Sequence, residues 1–390
     1  MAACFVLCGY EFLRSASNVL YVSAYTAKKI PLVQAIMPLG VLLVLYIYGR
    51  LISWLGPRRT LFWTTFCSGL IIATCYGLIK QGVLFATAVL YIYREAYIVL
   101  LIEQYWSFIN STFTATTAKK LNGFIIGFTS LGAILGGYLV SQLAERMGTA
   151  SMLLFAAGSL IPAAFFSDIA YVISGEPKPS ENETQGKQGH LALGLFKSYR
   201  ILILLLFLVI TTQIVSTMLG LSFQNIVQEA IPHMDKQTAY QGKFFSSVNA
   251  VAALFQFVAA PVLLSIIPIG IIQLLIPLIL ILFVGAFTMS PTLQTCSAAY
   301  LLFKALDYSL FRASKEILYI PLSFDARYRA KEVIDVFGYR FSKGGSSLVV
   351  VLLQNAGIAI SAFYGLIALS ANLLWVGLMV PIYLQIRKSK

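Results

Sequence analysis

The stretch "ILILLLFLVITTQIVSTMLGL" (201–221) runs for 21 residues without a charge. A helix rises about 1.5 Å per residue, so about 20 such residues cross a hydrocarbon core. The same kind of run recurs along the chain. In lipid every backbone N–H and C=O must be satisfied internally, and helices do this segment by segment. A soluble core could not bury all these runs. Composition agrees: 59% of the 390 residues are hydrophobic, 11% are charged, and mean hydropathy is +0.83. The expectation is an all-α, multi-pass membrane protein.

Breaks in hydropathy place about twelve spans, near 3–25, 31–54, 61–79, 84–110, 122–143, 150–173, 199–221, 244–266, 268–289, 294–322, 333–356 and 362–386. Met1 is followed at once by apolar residues, and Glu11 and Arg14 interrupt the stretch where a signal peptide would be purely apolar. The first span is therefore expected to be a retained helix. One connection is long and polar, "SGEPKPSENETQGKQGHLALG" (174–194), and its Gly, Pro, Ser and charged content describes a flexible linker. This predicts a six-helix bundle over 1–173, a cytoplasmic linker over 174–198 and a second six-helix bundle over 199–390.

Orientation follows from the basic residues. With both termini cytoplasmic, the inner side holds Arg58, Arg59, Lys119, Lys120, Lys178, Lys187, Lys197, Arg200, Arg327, Arg329, Lys331, Arg387, Lys388 and Lys390. The outer side holds only Lys28, Lys29, Lys80, Arg146, Lys236 and Lys243. That asymmetry obeys the positive-inside rule. It puts the sequon Asn182-Glu183-Thr184 inside, where it stays unmodified. It also accounts for the net charge of +13 without invoking nucleic acid.

Several classes of chemistry find no support. Cys4, Cys8, Cys67, Cys75 and Cys296 lie in apolar stretches without ligand spacing and read as small buried hydrophobes. His190 and His233 fall in polar connections, so no zinc, haem or other cofactor is expected. No nucleophile–base pair is apparent, and the chain is expected not to be an enzyme.

The halves are related. A shift of 212 residues lays Glu95 on Asp307, Glu103 on Lys315, Ala118-Lys119 on Ala330-Lys331 and Gly132 on Gly344. Two parallel repeats about an axis normal to the membrane are the major facilitator arrangement. The stretch "GRLISWLGPRR" (49–59) resembles that fold's loop between the second and third helices, with Ser53 and Trp54 replacing its acidic and basic pair.

An ionised side chain near the bilayer centre costs about 2.5–3.5 kcal/mol on insertion scales, so it must face protein or water. Arg14 and Lys343 lie about eleven and ten residues into their spans, near mid-membrane. Arg94 and Glu95 lie deep in the fourth span, Lys304 and Asp307 at the same depth in the tenth. Glu103 and Lys315-Glu316 fall about two turns from the cytoplasmic ends of those spans. Glu11 and Arg14, three apart on one helix face, can form a structural pair, as can Lys304 and Asp307. Two cations facing a cavity attract an anion, and Arg14 and Lys343 are the candidates for that contact. "SKGGSS" (342–347) is small and polar, which lets a backbone or a ligand approach. Its spacing is not that of a Walker loop. Tyr105, Trp106 and Tyr319 lie near the charged positions, where packing explains them best.

The segments "SKEILYIPL" (314–322) and "AKEVIDVFGYRFSKGGSSL" (330–348) resemble the nucleotide transporter family of plastids and obligate intracellular bacteria. "EFLRSASNVLYV" (11–22), "EQYW" (103–106) and "AKKLNGFIIGFTSLGAILGG" (118–137) follow the same family in order. The resemblance implies a carrier of a nucleotide or related phosphorylated anion, working by alternating access. By position it implies substrate contacts at Arg14, Glu103, Lys315 and Lys343, with Glu316 beside Lys315. Their depth and placement in the spans make Glu95, Asp307 and Arg340, with Glu316, the candidates for gating or coupling. Where the antiporters carry an acid after the seventh helix, "LSFQNIVQEA" (221–230) offers Phe223, Gln224 and Asn225. Exchange and proton coupling both remain open. Two other readings do too: a proton-coupled carrier of an uncharged or zwitterionic solute, and a non-transporting sensor. A monomer in the lipid bilayer of a bacterial inner membrane is expected.

Overall fold

The computed structural model describes residues 1–112, 115–175, 196, 199–319 and 333–388. Among them there is no strand, and eight helices are long and apolar enough to cross a membrane. The linker expected over 174–198 and the loop Asp325–Glu332 lie almost wholly or wholly outside the described residues.

By contacts the chain divides into two units, Met1–Gln185 with Ile231–Ala250, and Gly186–Ala230 with Val251–Lys390. In the first, α1 (Ala2–Tyr25) leads to α2 (Ile30–Lys80), α3 (Phe85–Thr112), α4 (Ala115–Met147) and α5 (Met152–Ser174). The 51-residue α2 is one element only by continuity. Gly56, at φ 75°, leaves the helical region, and Pro57 follows it without an N–H to donate. A positive φ is cheap only for glycine, so the chain bends here. The expected spans 31–54 and 61–79 lie on the two legs.

α1 is the centre of the unit and packs on α3, α4 and α5. Its core side chains, among them Phe12, Leu13, Ala16 and Leu20, meet Tyr97 and Leu101 of α3 and Met152, Leu153 and Leu160 of α5. α4 approaches it backbone to backbone. A Cβ on Gly132 would lie 2.9 Å from Cys4 Cα, and one on Gly136 would lie 2.8 Å from Cys8 Cα. Only small residues permit so close a crossing.

The second unit contains α6 (Arg200–Ala230), α8 (Ala260–Ile266), α9 (Ile269–Met289), α10 (Leu293–Leu306), α11 (Arg312–Tyr319), α12 (Tyr339–Asn355) and α13 (Tyr364–Lys388). α6 packs on α10, α12 and α13, and α9 on α10 and α13. α10 starts with a capping box, in which Thr292 Oγ1 accepts from Thr295 N at 3.2 Å and Thr295 Oγ1 accepts from Thr292 N at 3.1 Å. π turns at Phe255–Ala259 and Asp307–Phe311 pack on one another. Between α6 and α8 runs α7 (Met234–Leu254), all but the last turn of which belongs to the first unit. The sequence's cut at the linker assigns those turns to the second half; their partners are on α1 and α4. Of the cysteines, Cys75 and Cys296 are buried as expected, whereas Cys67 is on an exposed flank of α2.

Candidate functional site

The first unit concentrates its buried charge on one face of α1. Glu11, Arg14, Ser15 and Asn18 follow the i, i+3, i+4, i+7 spacing that lines one side of a helix, and all four are buried. On α7, Gln241, Phe245 and Asn249 repeat every four residues. The two rows meet in opposite order, so the helices cross antiparallel. Asn249 Nδ2 donates to Glu11 Oε1 at 2.9 Å. The Arg14 guanidinium lies over the Phe245 ring, 3.6 Å from its centre. Asn18 Nδ2 donates to Gln241 Oε1 at 2.8 Å.

Other contacts hold α7 along this face. Asp235 Oδ1 accepts from the Thr149 N–H at 2.7 Å and from its hydroxyl at 2.6 Å. Thr149 stands after Gly148, whose φ of 83° turns the chain between α4 and α5. Ser246 Oγ donates to Ile134 O at 2.8 Å. Gly137 of α4 and Gly242 of α7 leave no room for side chains: a Cβ on either would lie 2.8 Å from the other's carbonyl oxygen.

Within this frame the charges compensate. Arg14 Nη2 reaches Glu11 Oε2 at 2.5 Å, the pairing that three-residue spacing allows. Arg94 of α3, 4% exposed, donates Nη1 to Arg14 O at 3.1 Å, to Ser17 Oγ at 2.9 Å and to Asn18 Oδ1. It also lies over the Tyr91 ring and pairs with Glu95 Oε1 at 3.4 Å. A buried charge is tolerated when paired and hydrogen-bonded, and breaking such a pair costs about 3–5 kcal/mol. Two guanidiniums and two carboxylates thus surround the middle of α1.

Glu103 is on an exposed flank of α3, two turns beyond Glu95. In the second unit, Lys315 is 2% exposed, with Nζ 5.0 Å from the centre of the Tyr339 ring, and Glu316 beside it is half-buried. Asp307, at the head of its π turn, is 5% exposed, and its Oδ1 accepts no hydrogen bond among the described residues. Lys304 Nζ donates to Ser216 Oγ of α6 at 2.9 Å. Arg340 and Lys343 are half-buried, three apart on α12. The opposite face of α12, with Phe341, Gly345 and Val349, lines a cleft of about 670 Å³. Leu206, Ile210, Ile214 and Met218 of α6 form the facing wall, so the cleft is apolar and separate from the cations. Among the described residues no group of His, Cys, Asp and Glu could hold a metal ion.

Arg14, Glu11 and the helix depth of Arg94 were legible from the sequence. Gln241, Phe245 and Asn249 were not singled out. Their signal was a row of polar or aromatic residues every four positions in α7, none of them charged.

The chain has the fold of major facilitator-type transporters, as superposition on solved structures shows. The nucleoside transporter NupG superposes with a TM-score of 0.62 at 16% identity over 98% of both chains. A bacterial homologue of the iron transporter ferroportin gives 0.69 at 13% over 98% of both. A D-xylose–proton symporter gives 0.65 at 15%, over 97% of this chain and 95% of that one. The sequence profile of the TLC ATP/ADP transporter family matches residues 72–385, and the chain belongs to that family. ADP,ATP carrier protein 1 of Rickettsia conorii is 26% identical over 144 residues, 32% of this chain and 29% of that protein. ADP,ATP carrier protein 5 of Rickettsia typhi is 30% identical over 118 residues, 28% of this chain and 24% of that protein. The matched stretches span less than a third of these relatives.

Proposed function

We propose that this transporter carries a nucleotide or related phosphorylated anion across the membrane by alternating access. The observation that carries the reading is Arg14: a buried guanidinium in mid-helix, reached from α3 and α7, in a chain of the ATP/ADP transporter family. A planar guanidinium matches phosphate oxygens in pairs, and in a low-dielectric bundle the attraction is strong. Arg14, Glu103, Lys315 and Lys343 are the substrate contacts of this reading; Glu95, Asp307, Glu316 and Arg340 serve gating or coupling. The excess of basic residues on one side supports both termini in the cytoplasm. Transport can proceed as exchange or with a proton. The buried Asp307 favours, as a second reading, a proton-coupled carrier of an uncharged solute.

Radiolabelled nucleotide uptake into proteoliposomes, with and without internal counter-substrate, tests the reading. ATP and ADP are expected to enter, and Arg14→Gln is expected to weaken binding by about 1.5–3 kcal/mol, the scale of hydrogen bonds to charged groups. Unchanged affinity in folded Arg14→Gln and Lys343→Gln proteins sinks the site. Uptake of a neutral solute alone, abolished by Asp307→Asn, supports the second reading instead.

A further inference from the structure

The cation offered to an anion at Arg14 already has one. Glu11 is 2% exposed, and both of its oxygens are engaged: Oε2 by Arg14 at 2.5 Å and Oε1 by Asn249 at 2.9 Å. The remaining surroundings of the guanidinium include the ring of Phe245, at 3.6 Å, and that of Tyr10, at 5.2 Å. An arriving phosphoryl group therefore competes with Glu11 for the same guanidinium.

We propose that Glu11 is the internal counter-ion of Arg14 and takes up one proton when a substrate anion replaces it. This rests on the anionic-substrate reading and deepens it, because it makes substrate and proton bind together. Before binding, the pair is an arginine cation and a carboxylate. Afterwards it is an arginine–anion pair beside a neutral carboxylic acid, with one proton drawn from solution and no covalent bond changed.

Among the described residues the surroundings give the displaced carboxylate no other cation. On α1 its neighbours are Cys8, Tyr10 and Arg14, and on α3 Tyr97 lies close enough to feel its charge. Arg94 of α3 is committed to Ser17, Asn18 and Glu95. α7 presents Asn249 and Phe245, while its Lys236 and Lys243 are exposed and its Asp235 accepts from Thr149. On α4, Glu145 and Arg146 are exposed at the far end, and on α5, Asp168 is held by Arg58. A buried carboxylate deprived of its partner costs several kcal/mol, and buried glutamates titrate as high as about 8–9. Protonation removes the cost, and Asn249 Nδ2 goes on donating to the acid's carbonyl oxygen.

The test is ATP binding to the purified full-length protein between pH 7.5 and 8.5, above the phosphate ionisation near 6. Proton uptake on binding makes Kd rise with pH, by up to about tenfold per pH unit below the pKa that Glu11 has in the complex. In Glu11→Gln the slope is expected to vanish and binding at pH 8.5 to tighten several-fold; Glu11→Asp is expected to keep the slope. A pH-independent Kd in the wild type overturns the proposal while leaving the nucleotide reading standing. So does a slope that survives in Glu11→Gln, or one lost only in Asp307→Asn. Absence of ATP binding by the wild type at any pH overturns the nucleotide reading and this proposal with it. If Glu11→Gln does not fold by size-exclusion chromatography, a pH dye in weak buffer decides: one proton taken up per ATP bound supports the proposal, and none overturns it.

Discussion

The shift of 212 residues lays the seam between α1 and α4 on the seam between α6 and α12, yet the two are built differently. The same shift lays Gly132 on Gly344 and Gly136 on Leu348. In the first seam, Gly132 and Gly136 press against the backbone of Cys4 and Cys8, with no space for a methyl group. In the second, a Cβ on Gly345 meets nothing within 4 Å, and a cleft of about 670 Å³ opens between the helices. Leu348 is half exposed. Small residues alone therefore do not make a tight crossing; the spacing of the pair and the facing backbone decide. The first seam holds α1, which carries Arg14, backbone to backbone on α4, whereas the second is close at Gly338, where a Cβ would lie 3.3 Å from Val209, and parts at the cleft.

The largest effect should come from filling the tight seam. Gly132→Ala and Gly136→Ala are each expected to destabilise by about 1–3 kcal/mol, the usual cost of overpacking, because the obstacle is backbone that cannot rotate away. Thermal unfolding in detergent measures this, and an unchanged Tm in the double variant would erase the contrast. Gly345→Ala should go the other way. The added methyl has space, and alanine is favoured over glycine in a helix by about 0.8–1 kcal/mol, so a higher Tm is expected. A fall in Tm would mean the cleft closes on that residue. Smallest is the rim of the first unit, where Arg58 Nε and Nη2 meet Asp168 at 2.7 and 3.0 Å. Both side chains are about a third exposed, and Arg58→Gln is expected to cost only about 0.2–1 kcal/mol. A larger loss in the same assay would make that ion pair, rather than the glycine crossing, the main tie of its unit.

What the sequence made legible was whatever repeats locally. Charge three apart in α1 allowed the Glu11–Arg14 pair that forms, whereas among the described residues the same spacing at Lys304 and Asp307 forms no ion pair and Lys304 donates to Ser216 instead. The break at Gly56-Pro57 separated two spans inside one continuous element. The internal shift laid Gly132 on Gly344, which is buried, but could not say that its neighbour Gly345 opens on a cleft, because that depends on what each position faces. The α1–α7 row was out of reach for a different reason. Glu11 and Asn249 are 238 residues apart, and Asn18 and Gln241 are 223 apart. No periodicity within either helix names its partner. The π turn at Asp307 was equally hidden, since the residues around it have ordinary helical composition.

The position of α7 has a consequence for anyone who would divide the protein. A cut in the polar linker at 174–198 severs the chain where hydropathy says it is weakest. The N-terminal fragment would then keep Glu11, Arg14 and Asn18 but lose Asn249, Phe245 and Gln241, and Gly137 on α4 would lose the Gly242 backbone it packs against. The C-terminal fragment would carry the missing helix with its polar row turned outward. Neither piece satisfies its own buried groups, so co-expressed fragments have a reason to find each other, and either one made alone has a reason to be degraded.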